Sequence, residues 1–393
     1  MQAPFHGIKV IDLSAVVSGP MATGILADQG AEVIKVEAQG GDLTRVIGPA
    51  AGDLTPLYMA INRGKRSIVL DLKQAAGQSL LRELIAQADV LVQNFRPGAL
   101  ERLGFGYEAV KADNPRIVYL SISGFGHSGP FANYRVYDPV IQAVSGFASA
   151  HPNPHSSEPQ LLQTLLCDKI TALTAAQALS AALLARHRTG EGQKIELSML
   201  DAAVSFLWPE ALYNHAYIDT PRPAVPEFGA SQRLWQCRDG WLAMITPQNE
   251  EFVAMCRVLG VPDLIQQAPF SSILARRDNA QALRALLDPL VAQRSVDALV
   301  AELGAAGVPV GKVNGKAELA SDPQIQHNRT LVDTVYPEIG RVRSPRPAAQ
   351  FNASPSIATP LAAHLGEHTR EVLTELGKSA AEIDALYASG AVR

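Results

Sequence analysis

Short apolar runs alternate with helix-like segments through the first third of the chain, and this alternation constrains the fold most. Residues 8–13 and 31–36 have the character of strands, and a Ser-Gly-Pro break followed by a helical stretch over 21–28 separates them. Further strands or helices are expected over residues 67–72, 77–87, 90–93 and 117–122. Such alternation is typical of a mostly parallel sheet covered by helices on both faces. The sequence therefore predicts an α/β fold.

The remaining two thirds contain one long helix and two proline-rich segments. The helix is expected to follow Asp168 and to end in the cationic residues 186–188, before a glycine turn and a short strand over 195–199. Asp201 is expected to cap the next helix. Prolines within 221–226 and 345–360 indicate two loop-like segments, the first of them a plausible domain boundary. We predict a large domain over 1–220, a smaller α+β domain over 225–325, and a carboxyl-terminal segment over 330–393.

Composition excludes several classes of protein. The 393 residues are 47% hydrophobic and 18% charged with a net charge of −4, which disfavours a disordered chain and a nucleic-acid binder. The three cysteines form no CxxC pair, so neither a disulfide framework nor a cysteine zinc site is expected. No export signal is recognisable, and polar residues interrupt the apolar stretch 170–185. We expect a cytoplasmic protein that does not interact with membranes.

Familiar nucleotide and hydrolase motifs do not match. The first strand-to-helix turn, residues 18–24, lacks the spaced glycines that bind a dinucleotide pyrophosphate, and there is no P-loop or G-x-S-x-G elbow. The histidines have no metal-site spacing, so no metal is expected. By contrast, donors and cations within 62–66, 94–102 and 135–138 fall near strand ends, where open α/β sheets bind ligands. These groups favour a polyanionic ligand.

Asp168 stands at the start of the long helix and allows two interpretations. It can act as a helix N-cap, a common role for aspartate, or as a nucleophile. The helix dipole and free backbone N–H groups are expected to keep its pKa low, so that the carboxylate is ionised when it meets an electrophile. Cys167 is the rival nucleophile, but a lone cysteine beside an apolar run is more often buried and inert.

Seven segments in order carry a resemblance to a known family. They are GIKVIDLS with SGP within residues 7–20, AEVIKVE at 31–37, NRGKRSIVLDLK at 62–73, ADVLVQNFRPGALERLGFGY at 88–107, SGFGHSGP at 123–130, RTGEGQKIELSMLDA at 188–202 and LGEHT at 365–369. In order and spacing they resemble the class III CoA-transferases of the CaiB/BaiF type. Formyl-CoA transferase and crotonobetainyl-CoA:carnitine CoA-transferase belong to that family.

The resemblance implies an activity, a fold and a site. It implies transfer of coenzyme A from an acyl-CoA donor to a free carboxylic acid through aspartyl anhydride and aspartyl-CoA thioester intermediates, with CoA as substrate and no permanently bound cofactor. It implies a Rossmann-like large domain formed by both termini, to which segment 330–393 returns, together with a smaller inserted domain and an interlocked homodimer. Asp168 falls on the family's nucleophile. The family's CoA contacts fall on Val17, Leu70, Asp71, Leu72, Lys73, Asn94, Phe95, Arg102, Arg135 and Tyr137.

Two departures from the family pattern bear on the substrates. Ala38 stands where formyl-CoA transferase has an arginine towards the nucleotide, and Arg45 is expected to compensate. The segment 227–235, EFGASQRLW, lacks the glycine run that formyl-CoA transferase closes over its aspartate. Formate and oxalate are therefore not favoured as substrates.

Two other functions compete with CoA transfer. Related racemases exchange an α-proton of an acyl-CoA and need an acid-base group on each side of the carbon. Tyr137 occupies the position of their histidine and Asn249 that of their glutamate, which disfavours racemisation. The second alternative, a non-catalytic acyl-CoA-binding protein, predicts no turnover at all.

Overall fold

The computed structural model describes residues 2–153, 156–220, 222–229, 232–354 and 361–393. Its strands are β1 (Lys9–Asp12), β2 (Glu32–Glu37), β3 (Lys65–Val69), β4 (Val90–Gln93), β5 (Val118–Ser123), β6 (Gln193–Ser198), β7 (Trp235–Cys237), β8 (Gly240–Met244), β9 (Val310–Lys312), β10 (Leu331–Tyr336) and β11 (Gly340–Pro345). Pro221, residues 230–231 of the segment without a glycine run, and residues 355–360 of the second proline-rich segment lie outside the described residues.

Helices connect and cover these strands. They are α1 (Ser18–Asp28), α2 (Pro56–Asn62), α3 (Ala75–Ala86), α4 (Ala99–Arg102), α5 (Tyr107–Asp113), α6 (Asp138–Ser145), α7 (Phe147–Ala150), α8 (Leu166–Thr189), α9 (Met199–Ala211), α10 (Asn249–Val258), α11 (Ile273–Asp278), α12 (Ala280–Ala292), α13 (Val296–Ala305), α14 (Pro323–His327), α15 (Thr369–Glu375) and α16 (Ala380–Ala388).

The first six strands form one parallel sheet in the order β3-β2-β1-β4-β5-β6. Ile11 at its centre lies opposite Ile34 on one neighbouring strand and Leu91 on the other. The strand order changes direction between β1 and β4, which creates a crevice at the carboxyl ends of these two strands. The predicted α/β fold with a parallel sheet is confirmed.

Each face of the sheet is covered by its own apolar core. One core joins α1 and α8 to the strands through residues such as Leu26, Ala175 and Leu179. The other joins α3 to α15 and α16, through Leu81, Val372 and Ile383 among others. Both faces are therefore removed from water, which explains why the strands read as continuous apolar runs and not as alternating ones.

Two local predictions were wrong at helix starts. Helix α1 begins at Ser18 and not after the Ser-Gly-Pro break, because a proline in the first turn lacks only an N–H that would have no partner within the helix. Gly19 is needed there, since a Cβ would lie 2.3 Å from the Cβ of Ser14. Helix α9 is capped by Ser198, whose hydroxyl accepts the N–H of Asp201 at 3.2 Å, so Asp201 is not the cap.

The chain divides into two compact units, one of Met1–Tyr213 with Arg329–Arg393 and one of Asn214–Asn328. The first contains the parallel sheet and also the antiparallel pair β10-β11. The second contains the antiparallel sheet β7-β8-β9 and a core built on residues such as Leu242, Phe252 and Leu299. Within the described residues, no helix combines the length and apolar character needed to cross a membrane.

Candidate active site

A cavity of about 300 Å³ opens at the carboxyl ends of β1, β4 and β5. Asp168 from the first turn of α8 lies in its wall, 7% exposed. The other lining residues are Ala15, Val16, Ser18, Asn94, Phe95, Arg96, Pro97, Ile122, Ser123, Gly124, Ala132, Tyr134, Arg135, Val136, Tyr137 and Met199. The cavity thus occupies the switch point of the sheet, where doubly wound proteins bind ligands.

Asp168 does not cap its own helix, so the N-cap interpretation is wrong. The N-cap position is Leu165, which provides no side-chain hydrogen bond. Instead, Oδ2 of Asp138 at the start of α6 accepts the backbone N–H of Asp168 at 2.9 Å. A carboxylate from a neighbouring helix therefore satisfies one of the free N–H groups of α8 and leaves the Asp168 side chain available to the cavity.

Asp138 is itself held in place by Gln142, one turn further along α6. The Gln142 amide donates to Oδ1 of Asp138 at 2.6 Å, and its oxygen accepts the backbone N–H of Leu162 at 2.9 Å. One glutamine thus fixes both the capping carboxylate and the segment that leads into α8. The start of α8 is tied to α6 by side chains that are themselves buried.

The pKa of Asp168 is raised to about 6, mainly by burial and then by the neighbouring charge of Asp138. Hydrogen bonds from the side chain and backbone of Ser18 oppose this rise because they favour the ionised form. The expectation of a low pKa was therefore wrong. Burial beside the like charge of Asp138 raises the pKa by more than the helix amino terminus can lower it. The carboxylate is nevertheless mostly ionised at neutral pH.

Cys167 next to it is fully buried. Burial, together with the charges of Asp138 and Asp168, raises the pKa of its thiol to about 12. A thiol with such a pKa holds almost no thiolate at neutral pH, and the thiolate is the nucleophilic form. The structure thus agrees with the interpretation of Cys167 as an inert core residue.

The turn after β1 forms another part of the cavity wall and is strained. Val16 has a φ of 69°, in the left-handed region that a β-branched residue rarely adopts. The side-chain amide of Asn94 holds the preceding residue in both directions, accepting from Ala15 N at 2.9 Å and donating to Ala15 O at 2.7 Å. Asp42 Oδ1 accepts the backbone N–H of Val16 at 3.3 Å.

Beneath this turn lies a network of buried charges. The Lys35 ammonium contacts Ser14 O and Asp42 Oδ2, each at 2.9 Å. Lys65 donates to Asp12 Oδ2 at 2.9 Å and to Pro20 O at 2.7 Å. These ammonium groups are buried, so the backbone of the turn and of the first turn of α1 is held from inside the protein.

Arg45 belongs to the same buried layer and does not compensate for Ala38. Its guanidinium pairs with Glu37 at 2.7 Å and Asp53 at 2.9 Å, and lies over the ring of Tyr58 at 3.8 Å. Because Arg45 is only 3% exposed, it cannot reach a nucleotide at the surface. The expectation that Arg45 compensates for Ala38 was therefore wrong. The sequence does not show which carboxylates an arginine pairs with in the folded protein.

The structure brings part of the predicted CoA-binding set to the cavity. Asn94, Phe95, Arg135 and Tyr137 line it beside Asp168, and Val17 is buried between two lining residues. Arg102 on α4 and the segment that follows β3 do not line the cavity; that segment comprises Leu70, Asp71, Leu72 and Lys73.

Residues 70–73 differ in their exposure to solvent and in their contacts. Leu70 is buried in the core and bridges to Val392 near the carboxyl terminus. Asp71 closes the turn before α3, where its carboxylate accepts Lys73 N at 3.0 Å. Lys73 is exposed, as are Arg102 and Arg135, and none of the three forms an ion pair with a described residue. These cations remain free for an anionic ligand.

Three residues of the site were not singled out from the sequence: Ser18, Gln142 and the strained Val16. Asp138 was noted only as one of a group of polar residues. The Asp-Pro pair before an apolar helical run was an available signal for Asp138 at a helix start. No pattern could have paired Asp138 with Asp168, because the two are thirty residues apart. In the described parts of the chain, no cluster of side chains could hold a metal ion.

Comparison with known proteins identifies the family. A model of CoA-transferase family III matches residues 5–369. Acetyl-CoA:oxalate CoA-transferase of Acetobacter aceti is 37% identical over 338 residues, which cover 84% of this chain and 86% of that protein. Succinyl-CoA:glutarate CoA-transferase of Homo sapiens is 32% identical over 384 residues, which cover 95% of this chain and 86% of that protein.

A solved structure, that of a CAIB/BAIF family protein from Brucella suis, matches with a TM-score of 0.83 and 33% identity over 96% of this chain and 100% of that one. The sheet and its cavity define a doubly wound α/β protein, a class whose members bind ligands at the switch point. The chain belongs to CoA-transferase family III, and it is a CoA-transferase that acts on CoA thioesters.

Proposed function

We propose that this enzyme moves CoA from an acyl-CoA donor to a free carboxylic acid, with Asp168 as the nucleophile. The observation that carries the proposal is the placement of a buried but ionisable carboxylate in the wall of the switch-point cavity. The neighbouring thiol that could compete with it is suppressed by its own high pKa. A carboxylate nucleophile needs no general base, and none is required here.

The transfer proceeds in four balanced steps. An Asp168 oxygen attacks the thioester carbon, the C–S bond breaks, and a mixed anhydride and CoA thiolate result. The thiolate then attacks the aspartyl carbonyl and expels the donor acid, which leaves an aspartyl-CoA thioester. The acceptor carboxylate attacks this thioester and releases the thiolate, and the thiolate finally takes the acceptor acyl group from the new anhydride. Asp168 is regenerated, and the activation is conserved throughout.

Burial of Asp168 supports this chemistry. Anhydrides and thioesters are lost to water when the solvent reaches them, and a side chain that is 7% exposed restricts that access. Burial also makes the carboxylate a stronger nucleophile than a solvated one, because its pKa of about 6 lies well above the ordinary value. At pH 7 to 8 it remains largely ionised.

The central experiment replaces Asp168 and traps the intermediate. Asp168→Ala and Asp168→Asn should lower CoA transfer by roughly a thousandfold or more, the scale seen when a covalent nucleophile is removed. The matched control, Cys167→Ala, should retain most activity. Borohydride reduction after incubation with donor acyl-CoA should convert the Asp168 side chain to an alcohol, detected as a mass change in its peptide.

Either of two results would contradict the mechanism: transfer by Asp168→Ala at a comparable rate, or label on Cys167. The racemase alternative is examined in the same preparation. Exchange of deuterium into the α-carbon of an acyl-CoA, without any acceptor acid, would support a racemase.

For the acids, we propose short dicarboxylates of succinate or glutarate size. The names of the relatives pair CoA donors with oxalate or glutarate, and one is a succinate–glutarate CoA-transferase of Agrobacterium fabrum. Arg96 lines the cavity and can neutralise a second carboxylate. Detection of new thioesters by mass after incubation with a panel of donors and acids tests this; a preference for oxalate or for monocarboxylates would count against it.

For CoA itself, we propose that Lys73, Arg102 and Arg135 face the phosphates. The support is their exposure and their lack of ion pairs with described residues, combined with the family resemblance. Arg102→Ala should raise the Michaelis constant for the donor roughly tenfold, as expected for loss of one charged hydrogen bond, and leave that of the acceptor little changed. Arg82→Ala, which removes an exposed arginine paired with Asp113, is the control.

We also propose that the enzyme is an obligate homodimer with interlocked subunits. Large apolar side chains are exposed on α6, α8 and α9, namely Val140, Val144, Leu173, Leu184, Phe206 and Trp208. An apolar surface on three neighbouring helices suggests an interface between copies of the chain. Sedimentation at low concentration should show no reversible monomer, and a folded, fully active monomer would disprove the proposal.

A further inference from the structure

We propose that Gln142 on α6 is a positioning residue for CoA transfer: it locks the carboxylate of Asp138, and that carboxylate holds the backbone of Asp168. The inference rests on the proposed role of Asp168 as the nucleophile. It adds a residue that neither the sequence motifs nor the predicted CoA contacts include, and this residue does not line the cavity. Gln142 therefore acts on the reaction only through other residues of the protein.

The carboxylate of Asp138 is fixed at both of its oxygens. Oδ2 accepts the backbone N–H of Asp168 at 2.9 Å, and Oδ1 accepts the side-chain amide of Gln142 at 2.6 Å. Asp138 and Gln142 are almost completely buried, so water has little access to these hydrogen bonds. A buried carboxylate with a donor on each oxygen cannot rotate without losing a hydrogen bond, which keeps it on the N–H of Asp168.

The amide of Gln142 is fixed in turn by the chain that leads into α8. Its nitrogen also donates to the carbonyl oxygens of Leu162 at 3.3 Å and Thr164 at 3.1 Å, and its oxygen accepts the backbone N–H of Leu162 at 2.9 Å. Because the carboxylate and the carbonyls only accept and the backbone N–H only donates, the amide fits this site in one orientation. The glutamine thus joins α6 to the segment 162–164.

The start of α8 is consequently held from two sides. Helix α8 begins at Leu166, between Thr164 and Asp168, so Gln142 fixes the chain before the helix and Asp138 fixes its first turn. Each proposed step requires the carboxyl group of Asp168 to meet a reacting carbon, sulfur or oxygen atom at short distance. A displacement of about 1 Å in such a group can lower the rate roughly a hundredfold.

The first test replaces the amide and separates kcat from the Michaelis constant. Gln142→Met keeps a side chain of similar length without the amide, and Gln142→Asn keeps the amide on a side chain too short to reach both Asp138 and Leu162. Both variants should lower kcat roughly ten- to a hundredfold, because the nucleophile is no longer held in position. The Michaelis constant for the donor should change less than roughly threefold, since Gln142 does not line the cavity.

A single-turnover experiment makes this comparison independent of how well the variants fold. With enzyme in excess over acyl-CoA at saturating concentration, the first-order rate constant for loss of the acyl-CoA reports on the folded molecules alone. This rate constant should fall by the same factor as kcat in Gln142→Met and Gln142→Asn.

Asn114→Leu is the matched control. Asn114 lies before β5, at the end of that strand away from the cavity, and its side-chain amide also joins separate parts of the backbone. It donates to Ile85 O at 3.0 Å and to Ala88 O at 2.8 Å. This variant should lower the free energy of unfolding and leave kcat within roughly twofold of the wild type. A loss of kcat as large as that of Gln142→Met would count against a specific role of Gln142.

A double-mutant cycle tests whether Gln142 acts through Asp138. Asp138→Ala removes the acceptor of the Asp168 N–H and should lower kcat at least as much as Gln142→Met does. Adding Gln142→Met to Asp138→Ala should then cost roughly threefold or less, because the carboxylate that Gln142 locks is already gone.

Three results would overturn the inference: an unchanged kcat in both Gln142 variants, a loss confined to the Michaelis constant of the donor, or a double variant as slow as the product of the two single losses. Asp168→Asn separates this inference from the proposed nucleophile. If Asp168→Asn remains active, the nucleophile is wrong. If it is inactive while kcat of the Gln142 variants is unchanged, only the role of Gln142 fails.

Discussion

Two groups of buried carboxylates lie in the same unit of this enzyme and have opposite electrostatics. Beneath the turn after β1, Asp12 and Asp42 each lie 2.9 Å from a lysine ammonium, and Glu37 lies 2.7 Å from Arg45. In the cavity, Asp168 faces Asp138 and has no cation as a partner among the described residues. Both groups are almost fully removed from solvent.

The pKa values show what this difference does. Burial alone would raise the pKa of Asp12, but Lys65 and Lys35 outweigh it and lower the value to about 2. For Asp168, burial and Asp138 act in the same direction and raise the value to about 6. Burial thus makes an aspartate either structural or reactive, and the charge of its nearest neighbours decides which.

The largest effect is expected from breaking the paired group. Asp12→Ala leaves the Lys65 ammonium buried without its carboxylate, which should lower the free energy of unfolding by about 3–5 kcal/mol. Urea denaturation followed by circular dichroism measures this. Asp333→Ala removes an exposed carboxylate paired with Arg343 and should lower the free energy of unfolding far less, because water and salt screen an exposed ion pair. Equal losses in the two variants would refute the distinction between buried and exposed pairs.

The unpaired group should behave in the opposite way. Asp168→Asn should increase the free energy of unfolding at pH 7 to 8 by on the order of 3 kcal/mol, because the wild type buries a charge there. The raised pKa means that Asp168 contributes full stability below about pH 4 and loses it as the pH rises through 6. The advantage of the variant should therefore disappear at pH 4. If the variant is less stable than the wild type at pH 8, the prediction is wrong, because other groups then stabilise the buried charge of Asp168.

The smallest effect is expected from removing the charge repulsion between Asp138 and Asp168. Asp138→Asn removes the negative charge but keeps an oxygen that can accept the N–H of Asp168. The pKa of Asp168 should fall. The acid limb of the pH profile of kcat/KM, which follows the ionisation of Asp168, should therefore move downward by about 1 pH unit. Initial rates between pH 4.5 and 8 measure it. An upward or absent shift would mean that burial alone raises the pKa of Asp168.

Local sequence patterns were sufficient to predict where strands of the parallel sheet lie along the chain. The apolar runs at 8–13, 31–36 and 90–93 correspond to β1, β2 and β4, since strands buried on both faces need continuous apolar sequence. Strand order was not readable from those runs. It depends on which crossovers pack best, and it is the order that creates the switch-point cavity.

For the site, too, the sequence predicted some features and the tertiary structure decided others. Order and spacing of motifs led to the family and to Asp168 as the predicted nucleophile, because both depend on residue identity at given positions. The pKa of Asp168, the cap supplied by Asp138 and the ion pairs of Arg45 were predicted wrongly or missed. Each depends on distances between residues far apart in the chain. Coulomb energy and desolvation vary with distance and burial, which only the packed tertiary structure sets.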